Sequence, residues 1–325
     1  MTTGDDRSDP HDLAGRRVLV TGGAGVIAGE MLQLLAQQGA TVLSVDRLPL
    51  PIAPPPGVTH HVADLAEADL RPIADFGPSL VMHLAATFER SIETPEFWPQ
   101  NWSDNVVATH RLLELAAGLG GVEAFVFASS YLIYRPDQYL LGEPAADGIT
   151  LAETAAIGPR NLCGSAKLYG EAELEFAAEV LGGTFRTVSA RIFRVYGRGS
   201  RDVVSRWVRA ALRGDEIELY HPENRFDYIY SRDVADGLVR MALDGRAQGV
   251  INLGSGRSRT VGDVVTAIEA ATERRMRVRE GVVDEPYEAS RADVTRLRHR
   301  LAWTPPTTLE AGVARLVEHE ERMSA

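Results

Sequence analysis

Lysine is almost missing from this chain. Thirty-three of its 34 basic residues are arginine, and Lys167 is the one lysine. The two cations differ where a compact ammonium is required, so the position that kept a lysine is marked before any motif is read. Cysteine is as scarce: Cys163 stands alone and excludes an internal disulfide. Long apolar runs are absent too, none reaching the ~18–20 residues of a membrane span. Positive charge is in deficit. The formal net charge of -11 argues against nucleic acid as a partner. Residues 1–15 are polar and acidic with no apolar segment, and read as a flexible tail rather than a signal peptide. Together these features point to a cytoplasmic protein with no membrane partner, and no metal site is implied.

What is present is a chain of 325 residues, 45 % of them hydrophobic, which is enough for a sizeable core. Its first half alternates short β-branched runs with helical patterns. Strands are expected at Arg17–Thr21, Thr41–Asp46, Val58–Ala63, Ser79–Ala85, Val122–Ser129 and Phe185–Phe193. Helices are expected at Gly25–Gln38, Asn105–Leu119 and Arg160–Leu181. This alternation predicts a parallel sheet covered on both faces, and the continuous apolar character of the strands agrees. Beyond about Tyr196 the rhythm changes, and Pro222, Pro286, Pro305 and Pro306 punctuate more mixed elements. Between Arg186 and Arg232 there are ten arginines against six acids. These are either solvated helix faces or a basic wall turned to an anionic ligand.

Gly22-Gly-Ala-Gly25 follows the first strand directly and opens the first helix. Glycines there permit a tight turn and let the backbone approach a pyrophosphate at the helix N-terminus. Asp46 ends the second strand, 21 residues after Gly25. A carboxylate there accepts hydrogen bonds from the adenosine ribose and repels a 2′-phosphate, which favours NAD over NADP. Arg47 follows and would soften that preference. Asp64-Leu65 lies after the third strand, where the carboxylate either meets the adenine amino group or simply caps a helix.

As a set, TGGAGVIAG (Thr21–Gly29), VMHLAA (Val81–Ala86), NVVATHRLLELA (Asn105–Ala116), FVFASSYLIY (Phe125–Tyr134), GSAK (Gly164–Lys167), RIFRVYG (Arg191–Gly197), DVADG (Asp233–Gly237), NLGSG (Asn252–Gly256) and LAWTP (Leu301–Pro305) resemble the extended short-chain dehydrogenase/reductases of the nucleotide-sugar epimerase/dehydratase type. The resemblance implies an α/β protein: a Rossmann-type doubly wound parallel sheet with a smaller mixed α/β C-terminal lobe. Residues 16–195 would form the NAD-binding domain, with late returns from the C-terminal half, and 196–325 mainly the substrate lobe. Cofactor contacts are implied at Gly22, Gly25, Val26, Ile27, Asp46, Arg47, Asp64, Leu65, Leu84, Ala85, Ala86 and Lys167. Substrate contacts are implied at Thr87, Ser130, Arg194, Arg201 and Arg225. A homodimer is implied through the helices Asn105–Leu119 and Arg160–Leu181.

The family's chemistry uses a Ser/Thr, a Tyr and a Lys. Ser130 and Lys167 match two of them. Four residues before Lys167, where the family has tyrosine, this chain has Cys163. The base is therefore open between the Cys163 thiol, Tyr131 and a water, and a Cys side chain ends well short of a phenol oxygen. Family dehydratases carry an Asp-Glu pair after the Ser/Thr, and family decarboxylases a Glu at the second of those positions; here stand Tyr131 and Leu132. Simple oxidation and reduction at one carbon, as in epimerisation of a nucleotide sugar, needs neither carboxylate. The alternatives are a dehydratase, lyase or dehydrogenase with an unusual base, and a protein that binds NAD and sugar nucleotide with impaired turnover. On the substrate side, Arg194 replaces the family's usual Asn, and Arg225 is shifted by one from the family's arginine, which on a strand changes the face.

Overall fold

The structure is a computed structural model, and it describes residues 13–88, 93–180 and 184–324. Most of the expected N-terminal tail and the last residue of the expected second long helix lie outside them. Five strands, β1 (Arg17–Thr21), β2 (Thr41–Asp46), β3 (Val58–Val62), β4 (Leu80–His83) and β5 (Ala124–Ser130), pair in parallel in the order 3-2-1-4-5. Strands Arg186–Ile192 and Gly249–Leu253 extend this to seven. Burial on both faces explains the continuous apolar runs: every residue of β4 is buried, as is most of β5. The order reverses at β1, between β2 and β4. In such sheets a ligand sits beyond the carboxyl ends of the strands flanking that point.

Helix α1 (Val26–Gln37) follows β1, and α2 (Arg71–Phe76) precedes β4. The long helix expected from Asn105 is more complex. A short helix α3 (Trp98–Asn101) runs through a π-helical turn (Trp102–Val107) into α4 (Ala108–Gly118). The cause is tertiary. The Asn105 amide bridges the Thr87 backbone, receiving its N–H at 2.8 Å and donating to its carbonyl at 2.9 Å. It also donates to Asn101 Oδ1 at 2.8 Å. Satisfying Thr87 in this way favours a wider turn, a distortion often found at functional sites. Helix α5 (Leu162–Val180) precedes the sixth strand of the sheet.

The chain divides into two compact units. One comprises residues up to Ala128 with Tyr169–Ser189 and Leu238–Val250. Its core packs Leu19, Leu43, Val81 and Phe125 against Leu112, Leu113 and Leu174. The other comprises Ser129–Leu168, Ala190–Gly237 and Ile251 onwards. It contains α6 (Val203–Arg213), most of α7 (Ser231–Leu243), α8 (Val261–Thr272), α9 (Thr295–Leu301), α10 (Leu309–Ser324) and several two- to four-residue strands. The faces of α6, α8 and α10 meet in a core of Val204, Val208, Val264, Ile268, Val313 and Leu316. No described helix is long and apolar enough to cross a membrane.

Candidate active site

In the first unit the β1–α1 turn has the geometry its glycines predict. Gly22 sits at φ +73°, and a Cβ there would lie 2.7 Å from the Ala85 nitrogen. The N–H of Gly22 donates to the Val45 carbonyl at 2.8 Å, and that of Gly25 to the Gly22 carbonyl at 2.9 Å. Helix α1 then starts with no side-chain cap, so its first N–H groups remain for an anion. The turn opens on a cavity of about 140 Å³. Gly22, Gly25, Asp46, Arg47, Asp64, Leu65, Leu84, Ala85 and Ala86 line it, all expected from the sequence. Val26 and Ile27 form the first turn of α1, half-buried, and do not line the cavity.

Asp46 is fixed by two backbone donors, Ala24 N–H at 3.0 Å and Leu48 N–H at 2.9 Å. The Asp64 carboxylate accepts the Ala66 N–H at 2.9 Å, a capping geometry that uses one of its two oxygens. Sequence reading missed Asp104, which lies in the π-turn and also lines the cavity. Its Oδ1 accepts from Arg47 Nη1 at 2.9 Å, its Oδ2 is enclosed, and the Gln100 side chain lies beside the carboxylate as a second donor. Burial raises its carboxyl above the usual range, against the pull of Arg47. A glycine cradle, an uncapped helix and the Asp46 and Asp64 carboxylates on the cavity wall fit the adenosine and pyrophosphate of a dinucleotide.

In the second unit Ser130 ends β5, and its Oγ accepts the Leu132 N–H at 3.2 Å. The start of α5 is drawn against this turn. The Leu132 carbonyl accepts the Arg160 N–H at 2.8 Å, and a Cβ on Gly164 would come within 2.7 Å of the same oxygen. This close approach sets the first turn of α5, which carries Cys163 and, one helical turn on, Lys167, against the serine turn. Both are buried. Burial pushes the Lys167 ammonium down to about 8, with the neighbouring Cys163 acting in the opposite direction.

The Tyr131 hydroxyl donates to Glu288 Oε1 at 3.0 Å, and its ring stacks on Phe193. Burial, then Glu288, raises its pKa. Tyr134 donates to Asn252 Oδ1 at 2.6 Å, and burial pushes it up to about 12. Neither phenol is poised to take a proton.

A second cavity of about 490 Å³ lies wholly within this unit. Arg194 lines it, with Arg206, Trp207, Tyr220, Asn224, Phe226 and Tyr228. Arg194 stacks on Phe226 and contacts Glu288 at 4.0 Å. Glu288 is already paired with Arg160 at 2.6 Å, so two guanidinium groups share one buried carboxylate. Arg194 Nε and the Tyr228 hydroxyl are enclosed without partners. Of the other expected substrate residues, Arg225 donates to the Ala145 carbonyl at 3.0 Å and does not line the cavity. Arg201 is exposed outside it, and Thr87 belongs to the first unit. Arg160 and Glu288 carried no local signal in the sequence, whereas Arg206 belongs to the arginine-rich stretch between Arg186 and Arg232. Among the described residues no group of His, Cys, Asp and Glu could hold a metal ion.

Comparison with known proteins identifies the family. A UDP-glucose 4-epimerase of Mycolicibacterium smegmatis is 30 % identical over 93 % of this chain and 97 % of its own length. UDP-glucuronic acid decarboxylase 2 of Arabidopsis thaliana is 25 % identical over 94 % of this chain and 68 % of its own. The structure of Thermus thermophilus UDP-glucose 4-epimerase in complex with NAD superposes with a TM-score of 0.80 at 26 % identity, covering 94 % of this chain and 99 % of that one. The model of the NAD-dependent epimerase/dehydratase family matches residues 18–254. That match runs from the first strand of the central sheet through its last, and the chain belongs to this family of enzymes.

Proposed function

We propose that the chain is a nucleotide-sugar epimerase that oxidises and re-reduces one sugar carbon with NAD. NAD, when bound, takes up the hydride and returns it, so no external reductant is consumed. Ser130 orients the sugar hydroxyl: its oxygen already accepts the Leu132 N–H, which leaves its own proton to donate. Cys163 stands where the proton acceptor is needed and takes the hydroxyl proton directly or through a water. Lys167, one turn away in a buried setting, supplies positive charge that favours the deprotonated acceptor. The same acceptor would give the proton back to the oxygen when the carbon is reduced again, so the residues undergo no net change.

The observation that carries this reading is the turn after Ser130. It holds no carboxylate: Tyr131 is tied to Glu288, and Leu132 is apolar. Nothing on it serves to remove water or to assist loss of carbon dioxide. The nucleoside diphosphate part of the substrate is assigned to the 490 Å³ cavity, with Arg194 as its anion contact. Trp98, Trp102, Tyr169 and Phe176, exposed on the first unit, support a homodimer through the helices α4 and α5.

Proton NMR in deuterated water, with NAD and a panel of UDP- and dTDP-sugars, tests the proposal. An epimer formed without deuterium uptake supports it. Deuterium beside a new carbonyl or alkene replaces it with a dehydratase or lyase. A second reading, binding without turnover, is favoured by the short reach of the Cys163 thiol, and NAD binding without change in any sugar supports that instead.

A further inference from the structure

Arg47 is the residue in this fold that would welcome the wrong dinucleotide. At the end of β2 an acid receives the adenosine 2′-hydroxyl of NAD, and a nearby arginine is what accommodates the 2′-phosphate of NADP. This chain has both, as Asp46 and Arg47. Asp46 is fixed by the Ala24 and Leu48 N–H groups. A guanidinium beside it would bind a phosphate strongly, with two parallel donors.

Arg47 is already engaged elsewhere. Its Nη1 donates to Asp104 Oδ1 at 2.9 Å, and Asp104 is contributed by the π-turn, 57 residues further on. The pair is asymmetric: the Asp104 side chain is 8 % exposed and Arg47 46 %. The carboxylate is the buried partner and Arg47 the exposed one. Asp46, Asp64 and Asp104 all line the same cavity, and among the described lining residues Arg47 is the one cation. An entering 2′-phosphate would meet carboxylates and a guanidinium already neutralised.

We propose that Asp104 is a cofactor-selectivity residue: by holding Arg47 it keeps the dinucleotide site closed to a 2′-phosphate. The inference rests on the reading that this cavity receives NAD. It does not depend on which sugar is processed, or on whether any is.

The test is equilibrium titration of the cofactor-free protein with NAD and with NADP, separately, by calorimetry. Wild type is expected to favour NAD by 100-fold or more. Asp104→Asn is expected to narrow that ratio at least tenfold, mainly through tighter NADP binding. Adding Arg47→Ser to Asp104→Asn is expected to abolish the gain. An unchanged ratio in Asp104→Asn, or the same gain without Arg47, overturns the inference. Asp104→Ser is the second variant should Asp104→Asn fail to fold: it is expected to narrow the ratio in the same way, and an unchanged ratio in it overturns the inference equally. If wild type binds neither dinucleotide, the cofactor reading itself fails; if it binds NAD and the ratio does not move, only this inference does.

Discussion

The guanidinium carbon of Arg194 lies 3.7 Å from the centroid of the Phe226 ring. The aromatic face holds the cation in place and leaves its edge for hydrogen bonds. Replacing Arg194 with Met should raise the KM for a UDP-sugar by about 10- to 100-fold, the loss of a charged hydrogen bond, with a smaller change in kcat. Arg225→Met should change KM by less than about threefold, since its guanidinium serves the Ala145 carbonyl. Steady-state kinetics of the two variants checks this, and equal effects would remove Arg194 from its assigned role.

Cys163 is the departure on which turnover turns. Cys163→Ala should lower kcat by about 100-fold or more if the thiol takes the proton, while leaving the NAD dissociation constant within about threefold. Cys163→Tyr should retain or raise kcat if α5 tolerates the larger ring. Activity unchanged in the Ala variant would assign the proton to water.

Lys167 predicts a pH signature in the cofactor-free protein. Its ammonium is pushed down to about 8 in the fold by burial, below the unfolded value of ~10.4. Between those values the unfolded chain binds the extra proton, so stability rises with pH through that window. Relative to Lys167→Met, wild type should gain up to roughly 3 kcal/mol from about pH 7.5 to 10.5. Urea denaturation of both proteins across this range measures the difference, and parallel curves would contradict the burial.

Gly164→Ala sets two effects against each other. Alanine improves helix propensity by about 1 kcal/mol. Its Cβ, however, would meet the Leu132 carbonyl at 2.7 Å, a backbone atom that yields only if the serine turn moves. Overpacking of this kind costs about 1–3 kcal/mol, so a net loss of stability is expected, with reduced turnover and unchanged NAD affinity. Thermal melts and NAD titration separate these outcomes.

The sheet was legible because strands buried on both faces read as continuous apolar runs; β1 and β2 fall on their expected residues. The cofactor turn was legible because glycines at a strand–helix junction have few other uses. The start of α4 was not, because the π-turn is set by Asn105 reaching the Thr87 backbone, a contact no local pattern encodes. The cluster around Glu288 was hidden for the same reason: its partners Arg160 and Tyr131 are 128 and 157 residues away. Arg194 and Arg225 were both expected at the substrate, and the fold separates them: Arg194 lines the cavity and Arg225 does not. Phe226 is buried at the cavity, and its neighbour Arg225 is turned to the Ala145 carbonyl.

A chain with a single lysine, buried in the middle of its sequence, carries its own unfolding reporter. A protease that cleaves only after lysine has one bond to cut, between Lys167 and Leu168 in α5. Its rate of cutting reads how often that helix opens. The appearance of two fragments from one band would then report how tightly this part of the molecule is held, with no label and no engineered site.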